Sequence, residues 1–181
     1  MRPVLYQHVS WDPEAGGDRL EQESNSMSDQ LIISRFTGEY SYLSNFHPCP
    51  IPFEGITYPS AEHAYQAAKT LDQVTRYTIQ VCSTPGQAKA RGQRIPLRPS
   101  WEDLKILKMG HILTAKFSIP ELRDKLISTD TSMLVEGNNW GDTFWGICDG
   151  EGYNILGKIL MGIRDDIQIR PYLYYAGRVP E

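Results

Sequence analysis

Two stretches of this sequence carry polar side chains at spacings that suit chemistry better than packing. The first is Pro59-Ser60-Ala61-Glu62-His63-Ala64-Tyr65-Gln66-Ala67-Ala68-Lys69. At about 3.6 residues per turn, Glu62, Tyr65, Gln66 and Lys69 share one helix face, while Ala61, Ala64 and Ala68 line the closer-packed side. That face offers a carboxylate, a phenol, an amide and an ammonium; the plainer alternative is a solvated face with a charge pair across two turns. The second stretch is the glycine-rich Glu136-Gly137-Asn138-Asn139-Trp140-Gly141-Asp142-Thr143-Phe144-Trp145-Gly146. Tryptophan in a loop normally packs against something flat. A carboxylate beside two aromatic plates suits a planar base next to a reacting sugar, although Trp140 and Trp145 could equally be anchors that pin a long loop.

Glu62 and Asp142 together supply two carboxylates, the equipment of glycoside cleavage. One can stabilise an oxocarbenium-like transition state or activate water, and a second acid can protonate the leaving group; the sequence does not divide these tasks between them. Lys69, Arg35, Lys89 and Arg91 are candidates for phosphate contacts, Arg being the better bidentate partner.

Other chemistries lose their usual support. GxGxxG after a strand, GxxxxGK[ST], HExxH, GxSxG and paired CxxC are absent. Cys49, Cys82 and Cys148 are odd in number and widely spaced, which fits reduced thiols and a cytoplasmic setting. His63 and His111 have no neighbours at ligand spacing, so neither a metal nor a cofactor is expected. No apolar run approaches the ~18 residues of a membrane span, and the net charge of -4 gives no overall pull toward nucleic acid or anionic lipid.

The elements that must position these residues divide the chain unevenly. Residues 1–30 are polar from Asp12 onward and read as a disordered or loosely attached leader; residues 31–170 form the body, and 171–181 a tail. The body opens with a short strand at Leu31 to Phe36, then Tyr42 to Phe46 after a turn at Gly38, then a hairpin around Glu54-Gly55 between Ile51 and Tyr58. Helices follow. Ser60 caps Ala61 to Leu71, Thr84-Pro85 opens a helix that Gly92 stops, and Pro99-Ser100 opens one carrying Leu104, Leu107, Ile112 and Leu113. Pro120 starts another, and the last shows Ile155, Leu156, Ile159, Leu160, Ile163 and Ile167 on one face. Strands first and helices after predict a single compact α+β domain, a small mostly antiparallel sheet packed with several helices.

The strings Tyr42-Leu43-Ser44-Asn45-Phe46, Tyr58 to Ala67, Arg98-Pro99-Ser100-Trp101, Asp142-Thr143-Phe144-Trp145-Gly146 and Asn154 to Met161 resemble the NADAR family of N-glycosidases, in order and spacing from about Ile33 to Ile167. The resemblance implies a compact α+β fold and hydrolysis of an N-glycosidic bond. It implies function at Glu62, Trp101, Asp142 and Trp145, with Asn45, Lys69 and Arg91 completing the pocket. Some members are similar to enzymes cleaving phosphoribosylated pyrimidine intermediates of riboflavin synthesis; others look like hydrolases removing ADP-ribose from modified guanine. A small phosphoribosyl or ADP-ribosyl molecule is therefore the expected substrate, with ADP-ribosylated nucleic acid as the rival and a non-catalytic ADP-ribose or NAD binding module third.

Overall fold

The computed structural model describes residues 31–171. The leader and the tail beyond Pro171 lie outside the described residues. In chain order the elements are β1 (Ile32–Ile33), a 3-10 helix (Gly38–Leu43), β2 (Pro48–Phe53), β3 (Ile56–Ser60), α1 (Ala61–Ala68), α2 (Gln73–Gln80), α3 (Pro85–Gly92), α4 (Trp101–Phe117), α5 (Pro120–Ile127), β4 (Met133–Leu134), β5 (Gly137–Asn138), β6 (Ile147–Cys148) and α6 (Ile155–Ile169).

The hairpin β2–β3 is antiparallel, with Phe53 opposite Ile56. Its turn needs positive φ at both central residues, and Glu54 (φ 47) and Gly55 (φ 79) supply them. The antiparallel expectation holds for this pair but not for the remaining strands. β1 pairs parallel with β4, and β5 pairs parallel with β6, so the strands form three two-stranded sheets instead of one. Two-residue strands have no periodicity to read, and the partner of β1 lies about a hundred residues along the chain. The α+β class is as expected. Tyr42, expected in an extended stretch, lies in the last turn of the 3-10 helix, and both it and Leu43 are buried.

Ser60 caps α1 as expected: its Oγ accepts the His63 N–H at 3.3 Å and lies 2.7 Å from His63 Nδ1. The other ring nitrogen of His63 lies 3.1 Å from the Cys82 carbonyl, which ties α1 to the end of α2. Every residue of α1 is buried, so the solvated-face alternative is excluded. α2 was not legible in the sequence. Its residues Gln73-Val74-Thr75-Arg76 lack a helical apolar stripe, and its start depends on Asp72 accepting the Thr75 N–H at 2.8 Å. On α4 the buried face is Trp101, Met109, Ile112, Leu113, Lys116 and Phe117, whereas Leu107 is exposed. α6 buries Leu156, Leu160, Ile163 and Ile167. Gly157 meets the Leu134 carbonyl so closely that any Cβ would collide, which lets α6 lie against β4. No helix among the described residues is long and apolar enough to cross a membrane.

Candidate active site

α1 presents Glu62, Tyr65, Gln66 and Lys69 to a cavity of about 650 Å3. The segment between β4 and α6 contributes Glu136, Trp140, Asp142 and Trp145; Lys89 and Gln93 come from α3 and its end, Met109 from α4, and Asn45 from the loop before β2. Two distant parts of the sequence thus meet in one cavity.

Glu62 sits in the first turn of α1, where the helix dipole favours an anion. Its N–H donates to the Asn45 carbonyl (2.9 Å), joining the loop before β2 to the helix start. Burial pushes the Glu62 carboxyl up from its ordinary range and the Asp142 charge adds to this, while the Gln66 amide, Lys89 and Lys69 pull the other way. Gln66 Nε2 donates to Glu62 Oε1 at 2.8 Å. Gly92 of α3 packs against the Gln66 side chain in space that a Cβ would fill. Burial lowers the Lys69 ammonium, with Glu62 opposing the effect.

Two amide oxygens are orphaned here. Asn45 Oδ1 and Gln66 Oε1 are buried without a partner among the described residues, and both side chains line the cavity. A buried acceptor left unpaired costs about 1–3 kcal/mol, so a ligand bearing N–H or O–H donors would recover that loss.

Asp142 is held by its loop. Its Oδ1 accepts the N–H of Trp145 (2.9 Å) and of Phe144 (3.2 Å), and Asn138 ties both sides of its backbone. One carboxylate oxygen is therefore fixed in the turn. The other has no partner among the described residues.

The three tryptophans among the described residues take three roles. Trp145 lines the cavity and meets Tyr65 (centroids 5.4 Å) and Phe144 (5.0 Å) edge to face. Trp101 is buried behind Tyr65 at 5.4 Å and is not among the cavity's lining residues, so it backs the wall without forming it. Trp140 is 62% exposed, lines the cavity and carries Lys89 Nζ 5.9 Å from its ring.

Among the expected residues, Glu62, Asp142, Trp145, Asn45 and Lys69 come together. Arg91 does not: it lines a separate hollow with Arg94, Thr75 and Thr78. The cause is register. Lys89 faces the cavity, and a residue two further along a helix points to roughly the opposite side. Arg35 is exposed and also outside the lining. The sequence passed over Glu136. Its carboxyl is pushed up to about 7, by burial first and the Asp142 charge second, against the opposing pull of Lys89 and Lys116. Its signal was its position, directly after the apolar Leu134-Val135 pair that leads into the loop. Among the described residues no group of three or more His, Cys, Asp or Glu is placed to hold a metal ion.

Fold and site together define a single-domain α+β protein whose pocket is built from carboxyl groups, ammonium groups and aromatic rings that meet edge to face. Residues 34–168 match the NADAR domain, and the chain belongs to the NADAR family. It is 37% identical over 156 residues to N-glycosidase YbiA of Shigella boydii, spanning 83% of this chain and 97% of that protein. It is 33% identical over 149 residues to a riboflavin biosynthesis protein of Vibrio vulnificus, spanning 80% of this chain but 40% of that one. The NMR structure of the E. coli protein YbiA matches with a TM-score of 0.71 at 37% identity, covering 78% of this chain and 88% of that chain.

Proposed function

We propose that this chain is an N-glycosidase that hydrolyses a phosphorylated nucleotide-like substrate, a phosphoribosyl pyrimidine intermediate of riboflavin synthesis. The observation that carries the reading is the meeting of Glu62 and Asp142, each acting on the cavity that Lys69 and Lys89 also line. The names of the relatives, N-glycosidase and riboflavin biosynthesis protein, support the same reading.

Departure of the base leaves positive charge on C1′ and the ring oxygen of the ribose. The carboxylate of Asp142, pinned through Oδ1, presents its second oxygen to that charge without reorganising. Glu62 takes the proton of the attacking water; a carboxylate raised by burial is the stronger base. Trp145 walls the base, and Lys69 and Lys89 hold the phosphate. The orphaned oxygens of Asn45 and Gln66 accept from the ribose hydroxyls or ring amines.

A second reading, removal of ADP-ribose from modified guanine, is favoured by Trp140. This exposed plate beside Lys89 at the cavity gives a second base a surface that a phosphoribosyl pyrimidine does not need. Product analysis separates the readings. The chain is incubated with a phosphoribosyl aminopyrimidine, with ADP-ribosylated guanosine in DNA, and with NAD. Cleavage of the first alone is expected. Cleavage of the second alone selects the rival, and cleavage of none overturns both.

A further inference from the structure

The cavity contains a third carboxyl, which the chemistry above leaves without a task. Glu136 is fixed on both sides of its backbone: its N–H donates to Asn154 Oδ1 (3.1 Å) and its carbonyl accepts the Ile147 N–H (2.9 Å). Asn154 is itself locked, buried in a left-handed conformation (φ 49) at the start of α6, with Nδ2 donating to the Leu134 carbonyl at 2.8 Å. Gly146 lies against the Glu136 carbonyl where a Cβ would collide. The backbone is therefore held closely, yet the side chain makes no hydrogen bond or ion pair among the described residues. A half-buried carboxyl on so rigid a mount, lining the cavity beside Asp142 and Trp145 and bonded to nothing, is placed for a ligand.

Resting on the N-glycosidase reading, we propose that Glu136 is the general acid that protonates the departing base. The C1′–N bond breaks with its electron pair going to nitrogen, and the Glu136 carboxyl proton moves onto the base. Water adds to C1′ and loses a proton to Glu62. The sugar leaves with a new hydroxyl and the base with a new N–H. The Glu62 proton then passes to solvent and Glu136 takes one back, so each turnover consumes one water and no other reactant.

Three carboxyls share the cavity, and their partners distinguish them. Glu62 accepts an amide N–H, and Asp142 accepts two backbone N–H groups. The donor on Glu62 pulls against the burial that raises its carboxyl. Glu136 has no such donor. The charged groups acting on it are Asp142 from its own loop, Lys89 of α3 and Lys116 of α4. Burial is the largest influence and leaves it at about 7, the range in which an acid is both protonated at neutral pH and able to release its proton.

The test compares kcat/KM from about pH 5 to about pH 9 for the wild type and Glu136→Gln on two substrates. One is a phosphoribosyl aminopyrimidine, whose base needs a proton to leave; the other is 4-nitrophenyl β-ribofuranoside 5-phosphate, whose phenolate needs none. We expect wild-type activity on the pyrimidine to fall as pH rises through about 7, the value of the folded carboxyl. Glu136→Gln should lose roughly a hundredfold on the pyrimidine, roughly tenfold or less on the nitrophenyl substrate, and the alkaline limb of its profile. An equal loss on both substrates, or near wild-type activity with the limb intact, overturns the proposal. If Glu136→Gln fails to fold, the wild-type comparison decides: an alkaline limb for the pyrimidine and none for the nitrophenyl substrate supports the acid, and matching profiles overturn it. A wild type that cleaves the nitrophenyl substrate but never an N-glycoside sinks the N-glycosidase reading itself, and this inference with it.

Discussion

Replacing Asp142 with Asn separates the two jobs this side chain has. Its Oδ1 holds the Phe144 and Trp145 N–H groups at 3.2 and 2.9 Å, which is structural work. Asn has an acceptor in the same place, so both bonds survive with a neutral partner. Hydrogen bonds to a charged group are worth about 1.5–3 kcal/mol and neutral ones about 0.5–1.5. The variant should therefore lose about 2–3 kcal/mol of stability across the pair. Asp142→Ala deletes the one acceptor of both bonds and should lose about 3–6 kcal/mol. Catalysis follows a different order. The charge that stabilises the oxocarbenium ion is gone in Asn as fully as in Ala, so both should lose roughly a hundredfold or more in single-turnover rate, about 3 kcal/mol of barrier. Thermal melts and single-turnover rates on a phosphoribosyl aminopyrimidine give the two numbers for each variant. Near-normal turnover in Asp142→Asn, with Asp142→Ala impaired only as far as it is destabilised, would reduce Asp142 to a loop pin and refute the electrostatic role.

Three further outcomes follow from the same site. Trp145 touches Tyr65 and Phe144 as well as the cavity, so Trp145→Phe should retain measurable turnover, whereas Trp145→Ala should lose most of it and about 2–3 kcal/mol of stability, read by kcat/KM and melting temperature. The Glu136 carboxyl goes from an ordinary 4.5 unfolded to about 7 folded, so its stabilising neutral form is fully present below about pH 4.5 and is lost as pH rises through about 7. A difference of that size corresponds to about 3 kcal/mol, or about half after allowance for partial exposure; Glu136→Gln should therefore melt above the wild type at pH 8 and lose that advantage toward pH 5, and a constant difference across the range would contradict the burial argument. Since carboxyl groups carry the proton transfers and the charge stabilisation in this route, turnover should survive chelator treatment, and loss of activity restored by one divalent metal would contradict it.

The site was legible where a helix imposed a period. Glu62 and Lys69 followed from the helical period over two turns at α1, and Ser60 marked its start. Arg91 illustrates the limit of reading residue type without register, since its neighbour Lys89 had already taken the inward direction on α3. Trp101 was recognised as special, but only the packed rings show that it supports Tyr65 from behind. Glu136 stands in the same loop as Asp142, but nothing local shows that Asn154 and Ile147 would clamp its backbone. The parallel pairings β1–β4 and β5–β6 were equally illegible: each strand has two residues, and the pairing depends on tertiary packing. The hairpin and α6 needed no such context, as Glu54-Gly55 and the isoleucine stripe carry their own signals.

The most direct test of the account is to follow a phosphoribosyl aminopyrimidine with the full chain and measure free base and ribose 5-phosphate by mass spectrometry. The two products should appear in equal amounts over many turnovers, and a chain carrying both Glu62→Gln and Asp142→Asn should bind the substrate yet form neither. Binding by the wild type without release of base, or the same rate from the doubly substituted chain, would contradict the claim that these carboxylates cleave an N-glycosidic bond.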